Sequence, residues 1–178
     1  MIAVDTNILA YAHRNDSPYH ASAFPVLKSL CEGPANWSIP WPCIHEFIGV
    51  VTNQKAYPPA TTIEEAFAQI EAWLASDKLK LLGEGPDHFR TLKELSLTGQ
   101  IRAAQIHDAR IAAICLQHGV TELWTADRDF SRFPKLKTRN PLVGCVGRWT
   151  ATGAAIKFEV AHIGCYYLFL HTLFVANL

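Results

Sequence analysis

Acidic side chains are where this sequence could do chemistry. Asp5 ends the apolar run Ile2-Ala3-Val4, and Asp127 follows a second strand-like run from Glu122 to Thr125, with Asp129 two residues further on. Glu46 lies near the start of a helical stretch, in Cys43-Ile44-His45-Glu46-Phe47. Asp108 lies between His107 and Ala109 in a long stretch rich in Ala and Ile. Taken alone, each has a plain reading. An Asp at a strand end caps a helix or forms a turn, and a Glu in a first helical turn complements the helix dipole. Gathered together they mean more. Two like charges about 4 Å apart repel by about 4 kcal/mol at an effective dielectric near 20, so three or four in one pocket would cost a marginally stable domain much of its stability. A divalent cation removes that repulsion. Oxygen donors without paired Cys or His suit Mg²⁺ or Mn²⁺ rather than zinc.

Convergence needs a fold that carries these residues to one edge. Ile2 to Val4, Trp37 to Pro40, Leu79 to Leu82 and Glu122 to Thr125 read as short strands, and apolar runs of this kind fit a buried parallel sheet. Helical spacing runs from His20 to Leu30, with Pro25 disturbing its first turn and Cys31 to Pro34 ending it. Further helices are expected from Pro42 to Asn53, from a Thr62/Glu65 capping box to Leu74, from Asp87 to Leu97, and from Ile101 to His118, stopped by Gly119. Strands alternating with helices predict an α/β fold with a parallel sheet wrapped by helices. In such sheets ligands bind beyond the carboxyl ends of the strands, where Asp5 and Asp127 would project.

Composition excludes several classes. The 178 residues are 49% hydrophobic and 18% charged, so most of the chain is not disordered and can bury a sizeable core. Sixteen basic residues balance sixteen acidic ones, so nucleic acid could be gripped only through a local patch. Five cysteines without a C-x-x-C pair are neither a disulfide framework nor a zinc ribbon, and Met1 to Asp5 has no signal-peptide character; a cytoplasmic location is expected. His45-Glu46 has Gly49 where a zinc protease needs a second His, and Gly83-Glu84-Gly85 runs into Pro86, failing the dinucleotide fingerprint. There is no P-loop and no G-x-S-x-G elbow. Asp127-Arg128-Asp129 lies too late in the chain, with Phe130 and Ser131 after it, for a haloacid-dehalogenase phosphatase. His13, His20, His88 and His118 lack ligand spacing and read as surface or cap residues, and Cys115 reads as core.

Four stretches in order carry a family resemblance. Val4-Asp5-Thr6-Asn7 with Ile8-Leu9 and Tyr11-Ala12, His45-Glu46-Phe47, His107-Asp108-Ala109 with Ala112-Ala113 and His118-Gly119, and Thr125-Ala126-Asp127-Arg128-Asp129-Phe130 with Arg132-Phe133-Pro134 resemble PIN-domain proteins, in particular the VapC-type toxins of bacterial toxin–antitoxin pairs. The resemblance covers residues 1–142 and implies a three-layer α/β/α fold and a Mg²⁺-dependent endoribonuclease, with Mn²⁺ as a substitute. By it, Asp5 and Asp108 would be the metal ligands, Glu46 and Asp127 would complete the catalytic cluster, and Thr6, Asn7 and Asp129 would be auxiliary. Asn7 is read equally well as a turn former. Products with a 5′-phosphate and a 3′-hydroxyl, a small antitoxin covering the acidic groove, and homodimerisation through helix faces are further implications. Phosphodiester hydrolysis requires an activated water and neutralised phosphate oxygens, which one or two metal ions supply.

RNA phosphates require positive charge beside the acids. Arg128, Arg132, Lys135, Lys137 and Arg139 cluster after the last acidic stretch, and Arg110 follows Asp108 by two; these are the candidate RNA-binding residues, with a solvated loop as the plain alternative. Trp41 and Trp124 have ring area to stack on bases but are read as core. A non-enzymatic reading, a PIN-like protein that only binds antitoxin or RNA, stands beside the enzymatic one. Residues 143–178 depart from the family pattern as an apolar extension. Val160 to Leu178 has no charged side chain, close to the about 20 residues that span a bilayer. His162, Gly164, His171 and Asn177 weaken a spanning helix, so membrane contact ranks below two other readings, packing on the domain or a partner and a poorly ordered, incidental extension.

Overall fold

A computed structural model describes residues 1–143. The elements run β1 (Ile2–Val4), α1 (Thr6–His13), α2 (His20–Glu32), β2 (Trp37–Pro40), α3 (Trp41–Val51), α4 (Ile63–Leu74), β3 (Leu79–Leu82), α5 (His88–Thr98), α6 (Gln105–Gln117), β4 (Glu122–Trp124) and β5 (Thr138–Arg139), with a 3₁₀ turn at Arg128–Arg132 between the last two strands. The sheet order is β3-β2-β1-β4-β5, and every neighbouring pair is parallel. The right-handed rule for parallel crossovers puts α1 to α4 on one face, where α1 packs on α2 and α3, and α3 on α4. The return from β3 to β4 places α5 and α6 on the other. This is the three-layer α/β/α arrangement expected from the sequence.

The order of burial follows from that layering. All of β2 is buried, and so are Ala3, Val4, Leu123 and Trp124 of β1 and β4, because helices cover both faces of the central strands. The edge strands are more exposed: Lys80 of β3 and both residues of β5 face solvent. Trp37, Phe47, Ile8, Leu9, Ile114 and Leu123 fill the interior. Helix ends follow the local chemistry. Thr62 Oγ1 accepts from the Glu65 N–H at 3.2 Å while Glu65 Oε2 accepts from the Thr62 N–H at 2.9 Å, the reciprocal box that starts α4. Gly119 stops α6 in the left-handed region at φ 64°.

Several expectations are corrected. The helix from Ile101 begins only at Gln105, since Gln100 and Ala103 adopt φ of 50° and 48° and break the helical path before it. β5 has no apolar run to announce it; it forms on β4 through backbone pairing. α2 continues through Pro25, whose missing N–H deprives the Ala21 carbonyl of its usual intrahelical donor. His88 is buried and paired with Gln117, and His13 is held between Gln69 and Thr61; neither is a plain surface residue. Trp124 is buried as expected, but Trp41 is 44% exposed. No helix among the described residues is long and apolar enough to cross a membrane. The expectations for the extension, residues 143–178, lie outside the described residues apart from Val143.

Candidate active site

β1 is the point where the chain turns to opposite faces of the sheet, so a crevice opens at its carboxyl end. Asp5 stands there. Its N–H donates to the Trp124 carbonyl at 3.0 Å, extending the β1–β4 ladder by one residue. Its Oδ1 accepts the Thr6 N–H at 2.8 Å and so caps α1, while Oδ2 accepts from Asn7 Nδ2 and Thr125 Oγ1, each at 2.7 Å. The Cys43 thiol lies against Oδ1 at 3.6 Å. The plain capping role and membership of an acidic cluster thus coexist in one carboxylate. Burial, and then the neighbouring Glu46 carboxylate, push Asp5 up from 3.8 to about 7, against the pull of its hydrogen bonds.

Each neighbour has a traceable position. Thr6, in the first turn of α1, donates its hydroxyl to Glu46 Oε2 at 2.6 Å, which ties α3 to α1. Asn7 uses its whole amide: Nδ2 donates to Asp5 and to Thr125 Oγ1, and Oδ1 accepts the Ala126 N–H at 3.0 Å. That accounts for Asn7 as a clasp between the ends of β1 and β4 rather than a turn former alone. Asp127 takes the Asp129 N–H on Oδ1 at 2.8 Å and starts the 3₁₀ turn, while its own N–H donates to Thr125 Oγ1. Asp108 sits in the first turn of α6. Burial first, then Asp127, Asp5, Asp129 and Glu46, raise it from 3.8 to about 8. Five acidic residues from four separate stretches therefore act on one another across a single crevice.

The structure adds Thr125 and Cys43 to the residues named from the sequence. Thr125 carried a signal, a polar residue at the end of a buried strand two places before Asp127. Cys43 carried none beyond its place one helical turn before Glu46. The cations are distributed less simply than their clustering suggests. Arg132 pairs with Asp129 at 3.6 Å, Lys135 with Glu94 at 2.6 Å, and Lys137 with Glu122 at 2.8 Å; Arg139 lies over the Trp124 ring. Arg110 pairs with Glu84 at 2.6 Å. Arg128 is exposed and, among the described residues, forms no ion pair.

The donor chemistry fits Mg²⁺ or Mn²⁺. Among the described residues no three Asp, Glu, His or Cys side chains are gathered closely enough to hold one ion by themselves. Mg²⁺ in general keeps several waters and is held through one or two carboxylates. Asp5 and Asp108, whose protonated forms are favoured by burial and mutual repulsion, are the carboxylates with most to gain from a cation.

Comparison with known proteins agrees with this fold. The PIN domain family model matches residues 2–136. The chain is 34% identical over 144 residues to the VapC ribonuclease Mb2897 of Mycobacterium bovis, covering 81% of this chain and 97% of that one. It is 30% identical over 141 residues to ribonuclease VapC31 of Mycobacterium tuberculosis, covering 79% and 99%. Among solved structures, VapC20 of Mycobacterium tuberculosis, described as a sarcin-ricin loop cleaving toxin, superposes with a TM-score of 0.57 at 18% identity over 74% of this chain and 93% of its own. VapBC2 of Rickettsia felis, bound to a DNA fragment from its promoter, gives 0.54 at 23% identity over 78% and 98%. The chain belongs to the PIN-domain family. Within that family it is of the VapC type.

Proposed function

We propose that this protein is an endoribonuclease, the toxin of a toxin–antitoxin pair, and that its activity depends on Mg²⁺ or Mn²⁺ held by Asp5 and Asp108. The observation that carries the reading is the mutual repulsion of Asp5, Glu46, Asp108, Asp127 and Asp129 in one crevice. A bound divalent cation supplies an acidified water and neutralises charge on the phosphate oxygens. The chain's own groups do the rest. Thr125, Asn7 and the Thr6 N–H fix the Asp5 carboxylate, and the Thr6 hydroxyl keeps Glu46 aimed inward. Asp127, its N–H donating to Thr125 and its carboxylate holding the following turn, keeps that turn at the crevice. Exposed Arg128 is free to meet a phosphate, and Arg132, Lys135 and Arg110 can exchange weak surface ion pairs for phosphate contacts. The expected protein partners are a small antitoxin laid over the acidic crevice and a second copy of the chain.

The test is cleavage of total RNA by the purified full-length protein. Cleavage is expected with Mg²⁺ or Mn²⁺ and none with EDTA. Asp5→Asn and Asp108→Asn should each lower the rate at least about a hundredfold, on the scale of losing a principal stabiliser of transition-state charge, while circular dichroism stays unchanged. Full activity in both variants would overturn the assignment. Binding of RNA or antitoxin without cleavage under any metal would favour the purely binding reading.

A further inference from the structure

Trp41 is a large aromatic at the edge of the crevice for which the catalytic reading has no use. It is the first residue of α3, directly after Pro40 at the carboxyl end of β2. Ala3 pairs with Ser38, so β1 and β2, followed by Asp5 and Trp41 respectively, are parallel neighbours in the sheet. Glu46, bound to Thr6, lies in the same helix. The indole meets the His45 ring at 5.7 Å between centroids, tilted by 34°. Its Cδ1 lies close to Gly83, where even an added Cβ would be in ordinary contact at 3.8 Å. Gly83 is itself held by His118, whose Nε2 is 2.8 Å from its carbonyl oxygen, and the next residue, Glu84, holds Arg110. With neighbours on two sides, Trp41 still leaves 44% of its surface to solvent.

We propose that Trp41, braced by His45, is a stacking platform for an unpaired base of the RNA strand being cut; this rests on the ribonuclease reading above. Three features point to a nucleobase. The ring belongs to the residue that follows β2, the strand beside β1, at the same carboxyl edge as the acidic cluster. It already packs on His45 and beside Gly83 before binding, which lowers the ordering entropy that opposes stacking. Arg110 of α6, paired with Glu84 next to Gly83, adds a cation that can turn to a phosphate near a flat apolar face, the combination that binds single strands. A base can reach the platform only if it is unstacked from its neighbours. Selectivity among cleavage sites would then depend partly on which base stands at this position.

The experiment compares binding of a short single-stranded RNA of mixed sequence with that of an equally long ribose-phosphate strand lacking bases, by fluorescence anisotropy with EDTA present to prevent cleavage. Wild type is expected to prefer the base-bearing strand by about tenfold, as one stacked base provides. Trp41→Ala should lose that preference while holding the base-free strand as before. Trp41→Phe should retain most of it, and Trp41→Leu, apolar but without a ring system, should not. An undiminished preference in Trp41→Ala overturns the proposal. So does a change of mass by analytical ultracentrifugation in that variant, which would assign the ring to a contact between copies. Failure of the ribonuclease reading is separate: it would be seen as wild type binding RNA without cutting it when Mg²⁺ is restored.

Discussion

Thr125 shows how much of a metal site can rest on one hydroxyl. Its Oγ1 donates to Asp5 Oδ2 and accepts from Asn7 Nδ2 and the Asp127 N–H, so three acidic-site residues meet at one atom. The bond to Asp5 favours the carboxylate over the carboxylic acid. A carboxylate must shed its proton to take a cation, so cation affinity rises with pH through the carboxylate's pKa. Thr125→Val keeps the side-chain shape and removes the donor, so Asp5 should ionise at higher pH than about 7. The expected result, by calorimetric titration with Mn²⁺, is a binding curve displaced to the alkaline side, with Thr125→Ser close to wild type. Stability should also fall by about 1–3 kcal/mol, because Asn7 and Asp127 lose a buried acceptor. An identical pH dependence in wild type and Thr125→Val would show that the hydroxyl has no hold on Asp5.

At the level of elements, Gly119 permits a sharp expectation. It lies at φ 64° with open space around its Cα, so substitution meets no neighbour and its cost is purely conformational. Gly119→Ala should lower stability by about 1 kcal/mol, the left-handed penalty partly offset by a less flexible unfolded chain. For a chain of this size that is about 2–4 °C in melting temperature, and no loss would mean that the turn after α6 relaxes. The glycine stop and the Thr62/Glu65 box were legible in the sequence because their chemistry is local. So were the strands buried on both faces, because burial on both sides enforces an apolar run. The start of α6 was not: Ile101 to Ala104 has helix-forming composition, yet Gln100 and Ala103 take left-handed conformations that composition does not encode. β5 was invisible because its two residues are exposed and owe their conformation to backbone pairing with β4. In the site, the acidic residues were legible from their types and order. The exposure of Trp41 was not, since it depends on the edge strand and loop that pack beside it.

Across the whole molecule, charge is balanced in total but not in place. Exposed acids are largely paired with the basic residues around them, while the buried acids are left facing one another. The consequence is a stability that falls with pH. Asp5 and Asp108 ionise near 3.8 in the unfolded chain but at about 7 and about 8 in the fold. Between those limits the folded state binds more protons than the unfolded one, so their contribution is fully present below pH 3.8 and is lost as pH rises through 7 and 8. His13, lowered by burial, works in the opposite direction but only at and below its ordinary value of 6.5. The lowered acids, Glu65, Glu94, Glu122 and Asp16, titrate below 4.5. From pH 6.5 to 8.5 the two buried aspartates therefore dominate. The melting temperature of the metal-free protein is expected to fall across that range and to hold nearly level with saturating Mg²⁺, which replaces the protons between the carboxylates. Asp108→Asn, permanently neutral, should melt above wild type at pH 8.5 without metal and lose most of the response to Mg²⁺. A melting temperature of the metal-free protein that stays flat from pH 6.5 to 8.5 would mean that the carboxylates do not repel one another, and the metal assignment would lose its physical basis.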